Sequence, residues 1–161
     1  MSEAGARTSS IERVRAALAA SGLALEAVEL DASTRTAQEA ADAIGCTASQ
    51  IVKSLVFRGE DTGEAILVLA SGTNRVDEKR MAATAGEVLG RADADFVRAE
   101  TGFAIGGVAP VGHIRPVKTF IDRDLQQYAE IWAAAGKPNA VFRLTPDDLI
   151  ALTKGSIVQI C

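Results

Sequence analysis

The stretch "SQIVKSLVFRG", residues 49–59, decides how the rest of the chain is read. Ile51, Val52, Leu55, Val56 and Phe57 are branched or aromatic types that suit a pleated, half-buried strand. Side chains alternate along a strand, so Lys53 shares a face with Ile51, Leu55 and Phe57, while Ser54 joins Val52 and Val56 on the other. Neither face is polar. A lysine placed here either snorkels its head to water along an apolar stem or faces inward. If inward, it must meet an anion, a polar cavity or a ligand, because a buried unpaired ammonium is costly.

Working outward, "GEDTG" at 59–63 reads as a turn, and "EAILVLASG" at 64–72 is a second, strongly apolar strand. Two such runs joined by a short turn predict an antiparallel hairpin at the centre of a sheet. Upstream, "TRTAQEAADAIGC" at 34–46 is a helix opened by a Thr36–Glu39 capping box and closed at Gly45. "SSIERVRAALAASG" at 9–22 is another, with Ser9 or Ser10 as cap, Ile11, Val14 and Leu18 at helical spacing, and Gly22 at its end. "LEAVELD" at 25–31 lies between them as a short strand.

Downstream, "VDEKRMAATAG" at 76–86 and "ADADFVRAETG" at 92–102 predict helices, the first capped by Asp77 and the second with acids in its first turn. "VKTFIDRDL" at 117–125 predicts a strand running into a helix over "DLQQYAEIWAAAGK", 124–137, in which Tyr128 and Trp132 serve packing. "NAVFRLT" is a strand, "TPDDLIALT" a short helix with Thr145 as cap and Pro146 at its first position, and "SIVQIC" a closing strand. Mixed helices and strands with hairpin connections predict an α/β fold on a mixed sheet. Residues 1–9 read as a polar tail and 10–161 as a single domain.

The 161 residues suffice for one substantial core. The net charge of −4 and the lack of a basic stripe disfavour a large, non-specific nucleic-acid footprint, which rests on phosphate neutralisation. A local pocket for a nucleic-acid end remains compatible. Two cysteines, Cys46 and Cys161, and one histidine are too few for a zinc site of the usual kind. The cysteines read as small core hydrophobes. No secretory h-region or membrane-spanning run is evident, so no membrane partner is expected and the expected location is the cytoplasm.

A second unusual stretch is "TGFAIGGVAPVGH", residues 101–113, with Gly102, Gly106, Gly107, Gly112 and Pro110. Glycine lets the main chain approach a ligand closely, and proline stiffens the turn. Such a loop can aim backbone N–H groups at an oxyanion, or serve only as a tight turn. It carries no nucleotide-phosphate fingerprint. His113 reads either as a loop residue bonded to backbone or as part of a pocket wall. Ser54 and Ser71 are nucleophile types, but no histidine–acid partner is evident for either.

The lysine strand, followed after about fifty residues by G-x-x-x-P (Gly106 to Pro110), resembles the YbaK and prolyl-tRNA synthetase editing-domain family. "TAQEAADAIGCTASQ" and "NRVDEKR" also look like that family's segments. The resemblance covers roughly residues 10 to 160. It implies a mixed, curved, barrel-like sheet surrounded by helices, and hydrolysis of the ester between a wrong amino acid and the 3′ acceptor end of a tRNA. A chain of 161 residues has no room for a synthetase catalytic domain, so the implied form is a trans-editing deacylase.

The roles it implies are these. Backbone groups of Gly106, Gly107, Val108 and Ala109 meet the carbonyl, while Lys53 holds the terminal adenosine or the developing charge. Pro110, His113 and Ser71 contribute to substrate binding. No metal or cofactor is needed, since the terminal ribose hydroxyl and a water do the proton work. Arg75 or Lys79 could touch tRNA phosphate. Proline-specific tRNA carrying alanine or cysteine is the first expected substrate, with serine- or threonine-bearing tRNA second. A non-catalytic tRNA-binding or small-ligand-binding module on the same fold is the alternative, and the need for a synthetase partner is left open.

Overall fold

The computed structural model describes residues 9–31 and 36–161; residues 1–8 of the expected 1–9 tail and the first two residues of the expected 34–46 helix lie outside them. Among the described residues the α-helices are α1 (Ser10–Ser21), α2 (Ala37–Ile44), α3 (Glu78–Ala85), α4 (Ala94–Thr101) and α5 (Pro146–Thr153). The strands are β1 (Ala27–Glu29), β2 (Ile51–Gly59), β3 (Ala65–Ser71), β4 (Leu89–Arg91), β5 (Lys118–Asp122), β6 (Ile131–Ala134), β7 (Ala140–Leu144) and β8 (Ser156–Val158). Local signals start the helices. Ser9, Thr36 and Thr145 each form a capping box with the acid three residues on, and Asp77 and Asp93 cap α3 and α4.

The strands form one mixed sheet in the order β1-β7-β6-β2-β3-β5-β8, with β4 paired to β2 off this path. It is open, with β1 and β8 at its ends. The central hairpin is as the sequence predicts: β2 and β3 pair antiparallel from Val52↔Ser71 to Arg58↔Ala65. β3 is buried along its whole length because it is covered on both faces. Leu67 and Leu69 enter the main core with Ile11, Val14 and Leu18 of α1, Val97 of α4 and Leu149 of α5. Ile66, Val68 and Ala70 enter a second core with Met81 and Ala85 of α3. Cross-strand partners share a face, so Lys53 (opposite Ala70) lies on the α3 face and Ser54 (opposite Leu69) on the main-core face.

One expected element is different. No α-helix spans 124–137. A 3-10 turn covers Arg123–Gln127, and β6 begins at Ile131. Alanine-rich "IWAAAG" has helical propensity, but Ile131, Ala133 and Ala135 alternate into the core, a period of two. Pairing with β2 on one side and β7 on the other overrides propensity. Gly136, at φ +101, then turns the chain into β7. β4 was not anticipated from the sequence. Cys46 packs beside Ala40, Ala41 and Ile51, whereas Cys161 is exposed at the end of the chain rather than in the core.

Candidate active site

The cleft arises from a gap in strand pairing. On the edge of β2 away from β3, β6 pairs only with Ile51 and Val52, and β4 only with Phe57 to Gly59. Lys53 to Val56 have no strand neighbour on that side. A hollow of about 610 Å³ opens there, with Lys53, Leu55, Thr73, Gly106, Val108 and Trp132 among its walls. The lysine of the opening stretch and the glycine loop therefore border the same cavity.

Lys53 is half-buried, and its Nζ donates to the main-chain carbonyl of Asn74 at 2.7 Å. Among the described residues it makes no ion pair. Burial holds its pKa below the ordinary lysine value; the positive charge of Arg75 acts in the same direction and the carboxylate of Asp122 opposes it. The result is an ammonium stripped of part of its water without being neutralised by an acid.

The loop supplies main-chain donors. Gly106 adopts φ +93, a left-handed conformation natural to glycine. The N–H of Gly107 closes a turn on the carbonyl of Ala104 (3.0 Å). The N–H groups of Gly106, Val108 and Ala109 have no hydrogen-bond partner among the described residues. Gly107 packs on the Gly136–Lys137 backbone so closely that an added Cβ would lie 3.0 Å from the Cα of Lys137. The hairpin between β6 and β7 thus supports the loop from below.

Behind Lys53 lies a polar framework that the sequence did not reveal. Asp122, at the end of β5, is 1% exposed. Its carboxylate accepts from Ser71 N (2.9 Å), Asn74 Nδ2 (2.8 Å) and Asp124 N (2.9 Å). Asn74 Nδ2 also donates to Asp124 Oδ2 at 2.7 Å. Gly72 lets the chain pass the preceding 3-10 turn, since a Cβ there would sit 2.1 Å from the carbonyl of Ala48. Asn74 and Asp122 are ordinary turn and strand-end residues in sequence; only the fold brings them together.

The other candidate residues are distributed differently. Ser71 is buried and its hydroxyl donates to the carbonyl of Ser49 (2.6 Å), tying β3 to the 3-10 turn at Ala48–Gln50. Tyr128 braces the same turn by donating to Ser49 Oγ at 2.7 Å. Trp132, expected to be helix packing, stands instead on β6 as a wall of the cleft. Pro110 and His113 border a second hollow of about 710 Å³ on the other side of the loop. His113 Nε2 lies 2.7 Å from the carbonyl of Ala109, so the ring donates and holds the loop from behind. Its ring also meets Phe103 edge-on, with centroids 5.7 Å apart.

Known proteins share this arrangement. A family model described as "Aminoacyl-tRNA editing domain" matches residues 31–152. The crystal structure of "a putative trans-editing enzyme for prolyl tRNA synthetase" superposes with a TM-score of 0.88 at 51% identity, covering 94% of this chain and 96% of that one. YwhH of Bacillus subtilis is 31% identical over 137 residues, 84% of this chain and 87% of its own length. The protein named "Putative Cys-tRNA(Pro)/Cys-tRNA(Cys) deacylase EbsC" of Enterococcus faecalis is 31% identical over 129 residues, 78% of this chain and 76% of its own. By the extent of these matches the chain belongs to the aminoacyl-tRNA editing domain family and is an aminoacyl-tRNA deacylase.

Proposed function

We propose that the protein edits in trans, in the cytoplasm, hydrolysing the ester that joins a small wrong amino acid, such as alanine or cysteine, to the 3′ end of proline-specific tRNA. One observation carries the reading: Lys53 borders a single hollow with Gly106 and Val108, two loop residues whose amides have no partner among the described residues. Water adds to the ester carbonyl, and negative charge grows on its oxygen. Preorganised N–H groups stabilise such charge strongly, because they need no reorientation when it appears. Lys53 then serves the oxygens of the terminal adenosine or the developing oxyanion.

A covalent route has little support. The Ser71 hydroxyl is engaged by Ser49, and neither Ser71 nor Ser54 has a histidine in hydrogen-bond contact among the described residues. The direct role is left to water, with the ribose hydroxyl of the substrate passing the proton. The choice of proline tRNA is supported by the names of the related structure and of EbsC. The choice of a small, weakly polar amino acid is supported by the apolar walls that Val108, Leu55 and Trp132 give the cleft.

The test is a panel of proline tRNA charged with alanine, cysteine, serine, threonine and 2-aminobutyrate, beside serine and threonine tRNAs carrying their own amino acids. Preferential release of alanine or cysteine from proline tRNA is expected. Survival of every ester at high enzyme concentration would overturn the reading.

A further inference from the structure

Asn74 stands between opposite charges. Its main-chain carbonyl faces the Lys53 ammonium at 2.7 Å, and its side-chain amide faces two carboxylates, Asp122 at 2.8 Å and Asp124 at 2.7 Å. Its own N–H donates to the carbonyl of Ser71 at 2.9 Å, which fixes the residue in a turn. Lysine beside a buried aspartate ordinarily closes an ion pair. Here the acids are satisfied by neutral amides, and the ammonium by a neutral carbonyl. We propose that Asn74 is a positioning residue that keeps the Lys53 ammonium out of an ion pair with the acids behind it, and so keeps its charge available to substrate oxygens.

This rests on the reading of Lys53 as the cationic group of the site. The charged groups around that ammonium are Arg75 on the adjoining loop, Asp122 at the end of β5 and, one amide further on, Asp124 in the 3-10 turn. The two acids are not equally dependent on Asn74. Asp122 keeps its main-chain donors, Ser71 N and Asp124 N, if the amide is removed. The Asp124 carboxylate has only the Asn74 amide among the described residues. Removing the Asn74 side chain therefore frees Asp124 to draw Lys53 backwards. An opposite charge nearby raises a lysine pKa, so the retreat has a signature separate from catalysis.

The experiment compares wild type, Asn74→Ala, Asp124→Asn and the double variant. The pKa of Lys53 is followed by NMR of labelled lysine, alongside kcat/KM on the best ester of the panel. Asn74→Ala is expected to raise the Lys53 pKa and to lower kcat/KM about tenfold or more, the scale of one charge-assisted hydrogen bond. Asp124→Asn alone is expected to change kcat/KM less than threefold, and added to Asn74→Ala it should restore both readouts towards wild type. A merely structural role predicts additive losses and no rescue. An unchanged Lys53 pKa in Asn74→Ala, or additive losses in the double variant, would overturn the proposal. Should Asn74→Ala fail to fold by circular dichroism, Asn74→Ser, which gives up one of the two donors, carries the same pair of outcomes. If wild type cleaves no ester, the functional reading falls while the pKa comparison still decides the role of Asn74.

Discussion

Two hollows flank the loop between Ile105 and His113. The front one holds about 610 Å³ and the rear one about 710 Å³. In the rear hollow the charged and aromatic side chains are paired: His113 with the carbonyl of Ala109, and Arg115 with Glu100 at 3.7 Å. In the front hollow a partly dehydrated ammonium touches only a carbonyl, and the N–H groups of Gly106 and Val108 lack partners among the described residues. Size does not separate the two. A partly buried cation without an acid partner does, because such a group gains when a ligand supplies a further charge-assisted bond. On the proposed reading, the rear side holds the loop in shape and the front side uses that shape.

The largest expected effect that could break this contrast is at Lys53. Lys53→Ala should lower kcat/KM at least ~100-fold, the scale of losing one preorganised charge-stabilising group. Its melting temperature should stay close to wild type, since the substitution also removes a partly dehydrated charge. Retained activity with an intact fold would place the chemistry elsewhere.

Gly106→Ala comes next. Open space surrounds the position, so no clash arises, but φ +93 is strained for any residue with a Cβ. The expected cost is about 1–2 kcal/mol of stability, with roughly a tenfold fall in kcat as the loop amides turn. Thermal melts and single-turnover deacylation separate the two. A wild-type kcat would show that the loop conformation is not part of the site.

Trp132→Leu sharpens the contrast at the wall. Trp132 faces the front hollow from β6, so its replacement should raise KM a few-fold with little change in kcat, as expected for binding shared by ground and transition states. Steady-state kinetics on one charged tRNA reads this directly.

The smallest effect on activity is expected at the rear. His113→Gln should leave kcat/KM of the folded protein within about threefold, and act instead on stability. Burial, reinforced by Arg13, holds the His113 pKa below its ordinary 6.5, against the raising effect of the bond to Ala109. The unfolded chain then binds the proton more readily, so this contribution is present above pH 6.5 and is lost as pH falls through 6.5 towards the lower folded value. Wild type should lose melting temperature between neutral and mildly acidic pH, and His113→Gln should lose less. An equal fall in both proteins would remove His113 from that role.

Local chemistry made much of the fold legible. The capping box at Thr36, the Thr145 cap with Pro146 behind it, the αL glycines Gly22 and Gly45, and the two apolar runs of the β2–β3 hairpin each announce themselves within a few residues. The Ile131–Ala134 strand did not. An alanine-rich run with a lone tryptophan fits either period, and only its neighbours β2 and β7 decide between them. At the site, Lys53 stood out because it violates its own strand's pattern. Asn74 and Asp122 violate nothing: a turn asparagine and a strand-end aspartate are unremarkable until long-range packing joins them. Gly107 shows the same limit in reverse, since its N–H is committed to a turn that residue identity alone does not disclose.

The central claim is that the front hollow, and not the rear one, receives the charged end of the tRNA. The direct measurement is an NMR titration with a non-hydrolysable 3′-alanylamido adenosine. The account predicts shifts at the Lys53 side chain and at the amides of Gly106, Val108 and Ala109, with His113 and Ile114 little changed. Shifts confined to His113 and its neighbours, with Lys53 and Gly106 silent, would contradict it.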